Sequence, residues 1–235
     1  MQQQHITIAQ RFCGPPQSGN GGYVAGLLAK AKGGPCQVTL HAPPPLDRAL
    51  QLVSSADDLQ LKDGDTLLAT AKAYALDTSV PPAPDLQSAL TAQTGFEGFQ
   101  QHGLPGCFVC GTLRQPEDGL RIYAGPTDAS ANQVAAVWQP DITLDDGSGM
   151  VAEEFLWAAL DCPGFFAVKN LSGTALLGRF AARLLQPVAV GERLIVSGWA
   201  IGHEGRKHHA GTALYRQDGT PVAHAEATWI SLKQG

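Results

Sequence analysis

Two stretches of this chain follow the same plan, so whatever it folds into must be built twice. The first runs from a short alternating segment, residues 5–12, through Gly14-Pro15-Pro16-Gln17-Ser18-Gly19-Asn20-Gly21-Gly22 into an apolar run at residues 23–31. Gly33-Gly34 then stops it, as glycines commonly stop helices. Strand-like stretches follow at residues 36–42, 48–57 and 66–76. The second copy has strand-like residues 119–123 and 133–138, then an apolar helix over residues 153–161. Its further strand-like stretches lie at 176–185, 193–202, 208–216 and 221–232. Near their ends the copies align without a gap. Thr66, Leu68, Ala69, Ala71 and Ala73 match Thr220, Val222, Ala223, Ala225 and Ala227, each set preceded by an Asp-Gly turn. Alanines at alternate positions predict a strand face lying close against a packed helix.

Between the copies the composition changes. Residues 77–84 contain Pro81, Pro82 and Pro84, and the stretch to Gly106 is rich in Gln, Gly and Thr, with a short helix predicted near residues 85–92. This divides the chain into a first unit (1–77), a linker (78–105) and a second unit (106–235). A helix followed by antiparallel strands, done twice, predicts an α+β architecture in which each sheet wraps its helix. Joining the two sheets edge to edge would remove exposed strand edges.

The 235 residues suit one large domain or two small ones. A net charge of −5 offers no basic field for nucleic acid. No run of about 18 apolar residues predicts a membrane span. Met1-Gln2-Gln3-Gln4-His5 lacks the basic and apolar regions of a signal peptide, so the default expectation is a cytoplasmic protein. The five cysteines are then expected to be reduced thiols. Cys107 and Cys110 have the spacing of half a zinc site or a redox pair. No second pair follows, and His102 is a poor fourth ligand. The favoured reading is two thiols packing a strand entrance, with no metal.

The helix at residues 153–161 is apolar nearly all round and belongs inside the protein, yet it carries Asp161. Pro163 is expected to end it. A carboxylate in apolar surroundings has a disturbed pKa or a dedicated partner, which makes it a candidate general base or nucleophile. The alternative is a buried Asp capping backbone donors near Pro163-Gly164. Gly21, Gly22 and Tyr23 open the first helix, where free N–H groups at the positive end would suit a developing oxyanion. They equally suit a glycine-rich helix start capped by Ser18 or Asn20. Asn20 also has a side-chain amide to offer. Glu154 lies seven residues before Asp161 and so on the same helix face, a reserve acid. Arg206, Lys207 and His209, with Arg179 on a separate strand, are candidates for holding phosphates, or else are solvated residues.

Three segments together resemble the hotdog-fold thioesterase superfamily in its double-hotdog, single-chain form. They are Pro16-Gln17-Ser18-Gly19-Asn20-Gly21-Gly22-Tyr23, Leu156-Trp157-Ala158-Ala159-Leu160-Asp161-Cys162-Pro163-Gly164 and Gly205-Arg206-Lys207-His208-His209-Ala210-Gly211. The resemblance implies paired units with sites between their helices. One unit gives a small-residue turn at its helix start, and the partner gives an acid. Here Asn20-Gly21-Gly22 resembles the turn, but Leu28 and Ala29 stand where the first unit's acid belongs. Asp161 resembles the acid, but Ala152-Glu153-Glu154 stands where the second turn belongs. One composite site per chain is therefore expected.

The resemblance implies an acyl-CoA thioesterase, with coenzyme A entering as part of the substrate and no further cofactor. An acyl-CoA or acyl-carrier binding module without turnover is the alternative. A hotdog enoyl-CoA hydratase is less favoured, because no Asp–His pair about five residues apart lies near either helix. Pairing of chains into a homodimer is common in this fold and stays open.

Overall fold

Apolar residues from 23 to 28 and a terminal Gly33 at φ 71° make α1, Gly21–Lys32, a helix with one end buried and a glycine stop. Around it run β1 (Gln4–Thr7), β2 (Cys36–Leu40), β3 (Ala49–Ser54), β4 (Asp58–Asp63) and β5 (Thr66–Ala73). The linker carries α2, Leu86–Thr94, capped by the Asp85 side chain. The second copy comprises β6 (Gly125–Pro126), β7 (Gln133–Trp138), α3 (Glu153–Ala159), α4 (Cys162–Ser172), β8 (Ala175–Leu184), β9 (Leu194–Glu204), β10 (Lys207–Tyr215) and β11 (Pro221–Ser231). The structure, a computed structural model, describes residues 4–55, 57–127 and 133–232. The expectation drawn from residues 1–3 therefore lies outside the described residues, as does position 56 of the stretch predicted at 48–57. Among the described residues no helix is long and apolar enough to cross a membrane.

All the strands join one antiparallel sheet in the order β1-β3-β4-β5-β2-β8-β11-β10-β9-β7-β6. This order mirrors itself about the β2–β8 seam: the strand after each helix is central, and the others follow in matching sequence outward. β5 and β11, the strands that align without a gap, hold equivalent places. Ala69, Ala71, Ala223, Ala225 and Ala227 are buried, as the alternation predicts, whereas Ala73 at the end of β5 is exposed. At the seam Gln37, Val38 and Thr39 pair with Ala181, Phe180 and Arg179. The linker covers the outer face of the second unit's sheet. Val80, Ala83 and Leu86 pack on Ala135, Ile195, Ala213 and Tyr215, and the Tyr215 hydroxyl donates to the Pro81 carbonyl at 2.8 Å.

Two expectations need correcting, and one strand is new. Residues 119–123 are not a strand: Arg121 has φ 56°, and the Leu120 and Ile122 amides donate to the carbonyls of Phe108 and Val109 at 2.8 and 2.9 Å. The hydrogen bonds that a sheet would need are spent on the loop around Cys107. The charged segment Asp58–Asp63, not foreseen as a strand, is β4, because Leu59 and Leu61 alternate into the core between half-buried polar residues. Pro163 does not end the helical region. It sits in the first turn of α4, where its missing N–H costs nothing and its fixed φ suits a helix start.

α1 and α3 lie unusually close. A Cβ on Gly22 would fall 2.6 Å from the Cβ of Asp161 and 2.9 Å from the Trp157 carbonyl oxygen. A Cβ on Gly26, one turn later, would fall 2.7 Å from the Cα of Glu154 and 2.9 Å from the Cβ of Trp157. Backbone and Cβ atoms cannot swing aside as a flexible side chain can. Gly26→Ala gains about 1 kcal/mol of helix propensity, yet overpacking at about 1–3 kcal/mol opposes it. The expected net result is a lower midpoint of thermal unfolding. A midpoint equal to or above wild type would contradict this packing.

Candidate active site at the break between two helices

α3 tightens before it breaks. The Leu160 amide reaches Leu156 at 3.3 Å, but the Asp161 amide reaches only as far back as Ala158, at 3.0 Å. Asp161, at φ −76° and ψ −77°, then joins α3 to α4. Its side chain caps neither helix. It crosses instead to α1, where Oδ2 accepts from Asn20 Nδ2 at 2.8 Å and from the Gly22 amide at 3.0 Å. The other oxygen, Oδ1, is buried with no hydrogen-bond partner among the described residues. Asp161 is 2 % exposed. Burial pushes its carboxyl up to about 7, helped by Cys107 and opposed by the Gly22 and Asn20 hydrogen bonds. A buried acceptor without a partner costs about 1–3 kcal/mol.

Asn20 is the N-cap of α1, its Oδ1 accepting from the Tyr23 amide at 2.9 Å. With Oδ1 fixed there, Nδ2 must face the carboxylate, so the donor that Asp161 needs follows from the cap. Of the sequence-predicted catalytic residues, the fold thus brings Asp161, Asn20 and Gly22 together. The free amides expected at the start of α1 are partly spent: those of Gly22 and Tyr23 are already hydrogen-bonded within the chain. Gly21 lies against the seam, its missing Cβ 2.8 Å from Leu177 Cδ2 and 3.1 Å from Leu40 Cδ1. The Tyr23 ring stacks on Phe12 at 4.2 Å. Glu154 does share the α1-facing side of α3 with Asp161, but Lys30 holds it at 3.0 Å.

The predicted phosphate-binding residues lie elsewhere. Arg179 and His209 each pair with Thr228 across β-ladders and therefore share its face of the sheet. Glu226 and Thr228 alternate with Ala227 and Trp229, so this face is opposite the helices. With Gln37, these residues line a cavity of about 130 Å³. Arg206 and Lys207 are exposed where β9 turns into β10, and the Arg206 guanidinium donates to the Ser231 carbonyl at 3.2 Å. A second cavity of about 220 Å³ lies between β7 and α4, lined in part by Phe166, Lys169 and Asn170. Asp161 lines neither.

Sequence reasoning missed one feature. Cys162 follows Asp161 directly, and its Sγ lies 3.7 Å from that of Cys107, so the thiols of residues 107 and 110 are not an isolated pair. All three are buried, and their sulfurs lie within 4.8 Å of one another. Hydrogen bonds from the Cys110 and Cys162 thiols, then from the Cys110 and Val109 amides, hold the Cys107 thiol well below its ordinary range. Asn20 Nδ2 is 4.0 Å from Cys107 Sγ, so the same amide touches the thiol trio and the carboxylate. No spacing rule links residue 162 to the earlier pair. Only the docking of the 107–110 loop onto the helix break does so.

No family model matches the chain, and no curated protein matches it in sequence. Solved structures do match. A hot-dog-fold protein of unknown function from Alicyclobacillus acidocaldarius superimposes with a TM-score of 0.64 at 13 % identity, covering 99 % of this chain and 94 % of that one. A provisionally assigned thioesterase from Novosphingobium aromaticivorans gives 0.62 at 12 %, covering 98 % and 96 %. The tesB protein of Mycobacterium avium subspecies paratuberculosis gives 0.58 at 13 %, covering 97 % and 88 %. At such identities the likeness speaks for architecture, and with the mirrored strand order it makes this chain a hotdog-fold protein of two tandem helix–sheet units.

Proposed function

We propose that the chain is an acyl-CoA thioesterase with one composite site, hydrolysing a thioester to a free acid and coenzyme A. One observation carries this reading: the carboxylate at the α3–α4 break has Oδ2 fixed by two donors from the other unit and Oδ1 unpartnered. A fixed carboxylate with one free oxygen suits a general base for water, or a nucleophile on the thioester carbonyl. In the first case Oδ1 takes a proton as water adds to the carbonyl. The tetrahedral intermediate then collapses, the C–S bond breaks and the thiolate leaves with the proton that Asp161 took. Asn20 and Gly22 act as positioning groups, and the positive end of α1 favours negative charge developing beside them. The fold of the solved neighbours supports this chemistry without specifying a substrate. Arg179 and His209 have no part in the acyl site, since they open on the opposite face.

The enclosure of Asp161 favours a second reading, an acyl-CoA binding module without turnover. Free-thiol release from short, medium, long and aromatic acyl-CoAs, with calorimetric binding in parallel, separates the two. Turnover of any member supports the enzyme. Tight binding with no thiol released supports the module and ends the enzyme reading.

A further inference from the structure

We propose that Cys107, Cys110 and Cys162 form a binding site for a thiophilic divalent cation, zinc(II) foremost, beside Asp161. This stands apart from the thioesterase reading and does not depend on it. The spacing is the first ground. A zinc ion with Zn–S bonds of about 2.3 Å has tetrahedral S···S edges of about 3.8 Å, and Cys107 and Cys162 lie 3.7 Å apart. The third sulfur is within 4.8 Å of both, so small side-chain rotations complete the face of a tetrahedron. A disulfide requires about 2.05 Å, and all three cysteines are free thiols.

The local backbone is built for such a ligand set. The Gly111 amide donates to the Cys107 carbonyl at 2.9 Å and closes a tight turn around the pair. A Cβ on Gly111 would come 2.4 Å from the Cys107 carbonyl oxygen, so glycine alone fits after the second cysteine. His102 supports the turn from outside: its Nδ1 accepts from the Leu104 amide at 2.9 Å, leaving Nε2–H to donate to the Cys110 carbonyl at 3.0 Å. With both ring nitrogens occupied, His102 is an outer-shell residue and not the fourth ligand. Such orienting contacts are typical around metal ligands.

The second observation is that the trio is closed off from other protein ligands: all three thiols are buried, the Asn20 amide touches Cys107 Sγ at 4.0 Å, and no carboxylate oxygen joins the three sulfurs among the described residues. A cation held by three thiolates has one position left for water. Three thiolates select zinc over magnesium or calcium, which take oxygen ligands. An iron–sulfur cluster needs a fourth cysteine or its equivalent. Binding releases one proton from each thiol, giving a three-thiolate zinc centre of net charge −1. It would staple the loop that opens the second unit to the helix break across 55 residues of chain.

The test uses the full chain, purified in reducing buffer without chelator. Elemental analysis is expected to find one zinc per chain. Protein stripped of metal and titrated with cobalt(II) is expected to show tetrahedral ligand-field bands and a thiolate charge-transfer band. Cys110→Ser is expected to weaken cobalt uptake by more than the ~10–100-fold that loss of an outer-shell partner costs. Cys36→Ser, a buried thiol outside the trio, should keep both spectrum and uptake. Metal-free wild type that gives no thiolate–cobalt band overturns the proposal, as does a disulfide between Cys107 and Cys110 in anaerobically prepared protein. Both of those results are read on wild type and stand even if Cys110→Ser fails to fold.

Discussion

Asp161→Asn is expected to lower the turnover number for thiol release by about 10²–10⁴-fold, the usual worth of a positioned general base. The substitution is nearly isosteric. The Asn carbonyl can accept from Asn20 Nδ2 and the Gly22 amide as Oδ2 does, so the α1–α3 contact is kept. Substrate affinity should change little, because the lost group acts on the reacting atoms. Circular dichroism and the unfolding midpoint check that the fold survives. An unchanged turnover number would remove Asp161 from the chemistry. Glu154 would then be the next carboxylate to test, after release from its Lys30 partner.

Phe180→Ala is expected to cost about 3–5 kcal/mol of stability. Phe180 is fully buried, pairs with Val38 across the β2–β8 seam and with Ala227 on the other side, and meets the Trp157 ring edge-on at 5.6 Å. Deleting it opens a cavity that backbone on three sides cannot close. For a chain of this size each kcal/mol moves the midpoint by about 2–4 °C, so the loss should be plain in a thermal scan. Leu176→Ala on the same strand, at 41 % exposure, should change stability by no more than about 0.5 kcal/mol. Equal losses at the two positions would contradict the seam.

Much of the architecture is legible in the sequence because duplication repeats the same local signals. The alternation in residues 193–202 and 221–232 and the Asp-Gly turns mark strands from local sequence alone, although burial from Leu194 to Gly198 is continuous because the linker covers the outer face there. Local pattern fails where partners are remote. Residues 119–123 look like a strand, but their hydrogen bonds go to a loop more than ten residues back. Asp58–Asp63 carries only two apolar residues, Leu59 and Leu61, and its place between β3 and β5 makes it a strand.

The site divides in the same way. Asp161 stands out as a single acid in an apolar helix, and Asn20 as a cap, yet neither position reveals that the two side chains meet. Gly22 was readable as a place of close approach. What approaches is Asp161 and the α3 backbone, so its amide is spent on the carboxylate. Cys162 was unreadable as the partner of Cys107, because nothing along the chain encodes a contact made by docking the 107–110 loop onto a helix break.

The site's location is tested most directly by a crystal structure of the chain with a non-hydrolysable thioether analogue of an acyl-CoA that it binds. The expected result places the carbon that replaces the carbonyl at the α3–α4 break, either about 3 Å from Asp161 Oδ1 for direct attack or separated from it by one water that hydrogen-bonds Oδ1. An acyl group seated in the outer cavity lined by Arg179 and His209, with Asp161 still enclosed, would contradict it.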